Sequence, residues 1–206
     1  MSGLAPFTVL VPVKPPAVGK SRLGQLPDEQ RIALATAFAH DTLSAALAAK
    51  RVAQVLVVTD DFRFAAVARE LGCAVLPDGV QGDLNGSLAQ AAHEAVRRWP
   101  KTPVAALCAD LPALRPEELD EALGQVPGDR PAFVADALGT GTTMYAAPRM
   151  ELFDPMYGVD SAARHAEAGA MPVQGTLASL RQDVDEPGDL GRAMVLGVGT
   201  HTAGSV

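Results

Sequence analysis

Apolar residues along this chain fall into two alternating rhythms. The short runs "FTVLVPV" (7–13), "VAQVLVVT" (52–59), "CAVL" (73–76) and "PVAALC" (103–108) are apolar at nearly every position. Successive side chains of a strand point to opposite faces, so such runs read as strands covered on both sides. Between them lie longer stretches with helical spacing: residues 27–50, with Pro27 near the first turn, then 62–71, 85–99 and a helix opening at "RPEELDEAL" (115–123). Strand then helix, four times over, predicts an α/β fold with a doubly wound, mostly parallel sheet.

After Val126 the pieces shorten: "PAFVAD" (131–136), "GTGTTMYAA" (139–147), a loop carrying "FDPMYG" (153–158), a helical "SAARHAEAG" (161–169) and a last helix near "PGDLGRAMVLG" (187–197). There is no internal repeat, heptad array or flexible linker, so this part reads as an appended subregion of one domain spanning residues 1–206. The tail after about residue 198, "THTAGSV", has little to bury and is expected to be mobile.

Composition narrows the partners. The 206 residues are 48% hydrophobic, which supports a packed core, and carry a net charge of -7 with only 4% aromatic residues. Nucleic-acid binding calls for a basic patch and stacking rings, so no nucleic-acid partner is expected. A small polyanion is a different matter, because a few local cations can overcome a modest global charge. Cys73 and Cys108 lie in apolar runs without metal-ligand spacing and read as buried thiols. No apolar run approaches the ~18 residues of a membrane span, so a cytoplasmic protein with no membrane partner is expected. The pattern leaves the oligomeric state open.

Ligands of open α/β sheets bind at the carboxyl ends of the strands, so the residues following each strand are the first candidates. After the first comes "VKPPAVGKSRLG", with Lys14, Lys20 and Arg22 around Gly19. It reads either as a phosphate-holding loop or as a solvated basic loop. It is not a Walker A loop, since Lys14 stands where that motif needs glycine.

After the fourth strand stands Asp110, followed at once by Leu111 and Pro112. A carboxylate here suits a hard divalent cation; the alternative is a turn or helix-cap aspartate. In "RQDVDEP", Asp183 and Asp185 are two apart and face the same way on an extended segment, where they could share a cation with Asp110. Helix capping would account for Asp185 or Glu186, but not for Asp183. "GTGTTMY" offers glycines for close backbone approach and the hydroxyls of Thr140, Thr142 and Thr143, or else is a plain hairpin. In "YGVDSAARH", Gly158 and Ser161 at a helix start offer free N–H groups and a hydroxyl to an anion, or an ordinary cap. His165, beside Arg164, reads as a surface helix residue without a role, and Ser161 lacks the partners of a hydrolase nucleophile.

In order, "VPVKPPAVGKSRL", "DLNGSL", "ADLPAL", "FVADALGTGTTM", "FDPMYGVDSAARH" and "LRQDVDEPGDL" resemble the CofC/FbiD family, guanylyltransferases of coenzyme F420 biosynthesis within the GT-A-like nucleotidyltransferase fold. Pro15, Pro16 and a lysine replace the glycine-rich first loop of the wider group, which favours this family over its sugar-nucleotide and molybdopterin relatives. The resemblance implies a GT-A-like sheet with a small β appendage, and transfer of GMP from GTP to phosphoenolpyruvate with release of pyrophosphate. 2-Phospho-L-lactate and 3-phosphoglycerate are the alternative acceptors. It implies Mg²⁺ on Asp110, Asp183 and Asp185, phosphoenolpyruvate at Thr142, Gly158 and Ser161, and GTP at Lys14, Lys20, Arg22, Asn85 and Ser87. A GT-A-like sugar transferase and a non-catalytic nucleotide binder are the competing readings from other classes.

Overall fold

The structure, a computed structural model, describes residues 4–14, 27–80 and 82–206. Its strands are β1 (Phe7–Pro12), β2 (Val52–Val58), β3 (Ala74–Leu76), β4 (Val104–Leu107), β5 (Ala132–Ala135), β6 (Thr142–Ala147) and β7 (Met171–Pro172). Among the described residues they form one seven-stranded sheet in the order β3-β2-β1-β4-β6-β5-β7. β1 pairs in parallel with both β2 and β4, and β2 with β3. β6 enters antiparallel between β4 and β5, and β7 closes the edge parallel to β5. The strands expected as a small β appendage therefore extend the main sheet.

The helices are α1 (Asp28–Ala48), α2 (Phe62–Glu70), α3 (Leu84–Arg98), α4 (Pro116–Gly124), α5 (Ser161–Glu167), α6 (Ala178–Arg181), α7 (Pro187–Leu196) and α8 (Thr200–Ala203). Alternation along the strands divides the core. Val9 and Val11 of β1 join Leu43 of α1, Phe64 of α2 and Leu119 of α4 in one layer. Leu10, between them, joins Leu88 of α3 and Ala162 of α5 in the other. A third cluster, Leu34, Phe38, Ala113, Val184 and Ala193, fastens the segment before α7 to α1 and to the turn after β4.

The order in which strands are added reverses between β1 and β4, from β2 and β3 on one side of β1 to β4 on the other, and a doubly wound sheet opens its ligand crevice at such a switch point. The carboxyl ends of β1 and β4 carry Lys14 and Asp110, which explains why both stand out in the sequence.

The tail departs from expectation. Thr200–Ala203 is helical, and Thr202 is fully buried. The Asp41 carboxylate of α1 accepts the backbone N–H groups of His201 (3.1 Å) and Thr202 (2.8 Å), while the His40 and His201 rings lie 3.5 Å apart. A side chain at Gly199 would run into Asp41. The tail docks through backbone groups and one long-range carboxylate, for which hydropathy carries no signal.

Candidate active site

Asp110 is held by its neighbours on both sides. The buried Thr42 hydroxyl of α1 lies 2.8 Å from the Phe38 carbonyl and 3.2 Å from the Ala109 carbonyl, and accepts the Leu111 N–H at 3.1 Å. The Val184 N–H donates to the Asp110 carbonyl at 3.0 Å. That bond lays the segment 183–185 beside the turn after β4, so the backbones that carry Asp110 and the Asp183/Asp185 pair meet although they are far apart in sequence. Val184 is buried whereas Asp183 and Asp185 are half-buried on either side of it, the alternation expected of an extended segment.

The cap of α7 is built elsewhere. Asp189 Oδ2 accepts the N–H groups of Asp185 (3.1 Å) and Glu186 (2.7 Å), and Glu186 stands at the N-cap. Capping thus uses the backbone of Asp185 and not its carboxylate. Arg181 anchors the base of this segment, donating to the carbonyls of Ala135 (2.9 Å), Val173 (3.1 Å) and Thr176 (3.2 Å). Among the described residues, no three His, Cys, Asp or Glu side chains form a ready metal cage. The donor set nevertheless fits Mg²⁺, which takes one or two carboxylates and fills its octahedron with substrate phosphates and water.

Across the crevice, Lys14 is exposed at the end of β1 and borders a cavity of about 30 Å³ with Val13, Asp78, Asp83, Leu84 and Ser87. Lys20 and Arg22 lie outside the described residues. The "DLNGSL" block is tied into the fold by its own hydrogen bonds. Asp83 caps α3 by accepting the Gly86 N–H at 3.0 Å, and Ser87 donates to Asp78 Oδ1 at 2.6 Å. Asn85 is engaged on both amide atoms by the Tyr157 backbone (3.1 and 2.8 Å), pinning the 153–158 loop. Ser87 therefore borders the cavity, while the amide of Asn85 turns to the opposite loop.

Thr142, Gly158 and Ser161 converge. The Asp136 carboxylate accepts the N–H groups of Thr140 and Gly141, each at 2.9 Å, and shapes the tight turn into β6. A Cβ on Gly141 would sit 2.5 Å from Asp136 Oδ2, so the close approach requires glycine. The Ala162 N–H donates to the Thr140 carbonyl at 3.1 Å and the Ser161 N–H to the Gly158 carbonyl at 3.2 Å. Those two amides, expected to be free for an anion, instead tie α5 to the turn and the loop. What remains is a pair of hydroxyls: Ser161 Oγ lies 3.1 Å from Thr142 Oγ1.

His165 corrects the sequence reading most sharply. It is fully buried, with Nδ1 3.0 Å from Thr142 Oγ1, and Nε2 accepts the Met156 N–H at 2.8 Å. Tyr145 stacks on its ring at 4.6 Å, with Phe133 and Tyr157 alongside at 5.7 Å. Burial, aided by the Arg164 charge, depresses its pKa to about 4 against the opposing pull of Asp154 and the Ser161 backbone, so the ring is neutral at pH 7. Its position one turn beyond Ser161 was the only sequence signal, and surface residues share that spacing.

A doubly wound sheet with its crevice at the switch point is the fold of the α/β nucleotidyltransferases. The same fold occurs in 4-diphosphocytidyl-2C-methyl-D-erythritol synthase (TM-score 0.64, 12% identity, 93% of this chain and 99% of that one). It recurs in a nucleotidyl transferase from Methanothermobacter thermautotroptrophicus (TM-score 0.61, 16% identity, 90% and 94%). Residues 7–205 match the family described as "Guanylyl transferase CofC like", and the chain belongs to that family. It is 48% identical to a phosphoenolpyruvate guanylyltransferase of Streptomyces coelicolor, over 96% of this chain and 94% of the relative. To one of Thermomonospora curvata it is 47% identical, over 96% and 87%.

Proposed function

We propose that this protein transfers GMP from GTP to phosphoenolpyruvate in coenzyme F420 biosynthesis, forming enolpyruvoyl-2-diphospho-5'-guanosine and pyrophosphate with the aid of Mg²⁺. What carries this reading is the near full-length identity to phosphoenolpyruvate guanylyltransferases. The contact between the Thr142 and Ser161 hydroxyls and the backbone bond that brings the segment 183–185 to Asp110 support it.

In this reaction a phosphate oxygen of the acceptor attacks the α-phosphorus of GTP, and the bond from that phosphorus to the bridging oxygen of the β-phosphate breaks. Pyrophosphate leaves with the electron pair, and no protein nucleophile is needed. Two anions must approach each other, so the chain's task is positioning and charge neutralisation. Lys14 at the mouth of the crevice meets the triphosphate, and the Thr142–Ser161 pair holds the acceptor. Asp110, Asp183 and Asp185 are the residues that would hold Mg²⁺, which when bound offsets phosphate charge in the transition state.

The test is pyrophosphate release with GTP and Mg²⁺, offering phosphoenolpyruvate, 2-phospho-L-lactate and 3-phosphoglycerate separately, with ATP and EDTA controls. Release is expected with phosphoenolpyruvate and GTP only, abolished by EDTA. Silence with all three acids would overturn the reading, and preferential turnover of another acid would replace the acceptor.

A further inference from the structure

The Thr142–Ser161 pair has only two hydroxyl protons, and their destinations can be counted from the residues around it. One proton lies between Thr142 and Ser161, whose oxygens are 3.1 Å apart. The other would be lost to any substrate if His165 Nδ1, 3.0 Å from Thr142 Oγ1, could accept it. The Met156 N–H prevents this. A backbone amide can only donate, and it points at His165 Nε2 from 2.8 Å, so Nε2 must present its lone pair. The single proton of the neutral ring then resides on Nδ1, and Nδ1 donates to Thr142.

We infer that His165 is a positioning residue that sets the polarity of the Thr142–Ser161 pair, leaving one hydroxyl proton to donate to an anionic oxygen of the acceptor. This rests on the reading that the pair holds the acceptor. With the proton on Nε2 instead, Thr142 could turn its own proton inward, and the pair would face an anion with lone pairs. Burial reinforces the arrangement, since a buried ring stays neutral and keeps a single tautomer. The groups facing the ring are consistent with it: Tyr145 from β6, Tyr157 and Asp154 from the loop, and Arg164 from α5 itself. The Met156 amide is held in place by the loop that Asn85 pins at Tyr157. An asparagine outside the pair thereby supports its polarity.

Two substitutions separate this role from simple packing. In His165→Asn the amide nitrogen takes the place of Nδ1 and still donates to Thr142, whereas in His165→Gln the amide oxygen takes the place of Nε2 and still accepts from Met156. H165Q is expected to lower kcat/KM for the acceptor at least about tenfold, with KM for GTP unchanged, because Thr142 loses the donor that fixes the direction of its hydroxyl and the anion meets an unoriented pair. H165N is expected to recover most of that loss although it forfeits the loop contact. Equal losses in both variants, or losses that follow their melting temperatures, would overturn the inference.

The wild-type ring gives a second readout that needs neither turnover nor a variant. Nitrogen-15 chemical shifts of His165 at pH 7 are expected to report a neutral ring protonated on Nδ1; protonation on Nε2 would overturn the inference. A wild-type protein inactive on every acid would sink the acceptor reading, and the tautomer would still decide the polarity set by His165.

Discussion

At the scale of single residues, the acids and the buried histidine call for opposite tests. Asp110 stands where the backbone of segment 183–185 joins the turn after β4, and the proposed function assigns its carboxylate to Mg²⁺. Asp110→Asn keeps the shape and removes the charge. It is expected to reduce kcat by about a hundredfold or more, as removal of one preorganised electrostatic group does, with the melting temperature little changed. Turnover within a few-fold of wild type would remove Asp110 from the metal site. His165 instead predicts a pH effect on stability. Its folded pKa of about 4 lies below the ordinary 6.5, so between those values the unfolded chain binds the extra proton. Stability should be complete above pH 6.5 and fall as the pH drops towards 4. His40 acts in the same direction, its pKa lowered by burial and by the His201 charge against the pull of Asp41. Urea midpoints across this range are expected to fall with pH for wild type and to fall less for H165N.

At the scale of elements, α1 does more than cover the sheet. Its Thr42 clamps the turn that carries Asp110, and one residue earlier Asp41 caps α8. Those two neighbours couple the C-terminal tail to the active-site turn, and the Gly199 N–H donating to the Pro112 carbonyl at 2.9 Å closes the same circuit. Asp41→Ala leaves two amide donors of the tail without their acceptor. A destabilisation of about 1–2 kcal/mol is expected, the usual range for a lost cap, together with faster amide exchange at Thr202. Unchanged exchange there would mean that packing alone holds the tail.

At the scale of the whole molecule, the proposed reaction asks a chain of net charge -7 to bind a triphosphate, which its acids would repel unless a cation intervened. GTP with Mg²⁺ is therefore expected to stabilise the fold far more than GTP with EDTA. At a hundred times Kd the gain is about 2.7 kcal/mol, or roughly 5–10 °C in Tm for a domain of this size. Equal shifts with and without Mg²⁺ would show that the acids do not meet the phosphates through a metal.

Much of this architecture was legible in local pattern. Doubly apolar runs foretold the parallel strands, and the spacing of Asp183 and Asp185 foretold two side chains on one face, matched by the burial of Val184 between them, because the period of a strand is a local property. Periodicity does not say which elements meet. That the segment 183–185 lies against Asp110 depends on one backbone bond between distant segments, and the docking of α8 depends on Asp41 reaching amides 160 residues away. That His165 is buried, neutral and aimed at Thr142 depends on which face of a seven-residue helix turns to β6. The sequence by itself determined the four strand–helix units, their order and the acidic and hydroxyl groups available for chemistry. Only the tertiary structure decided which of them meet and which proton each hydroxyl has free, because burial and hydrogen-bond polarity arise from long-range packing.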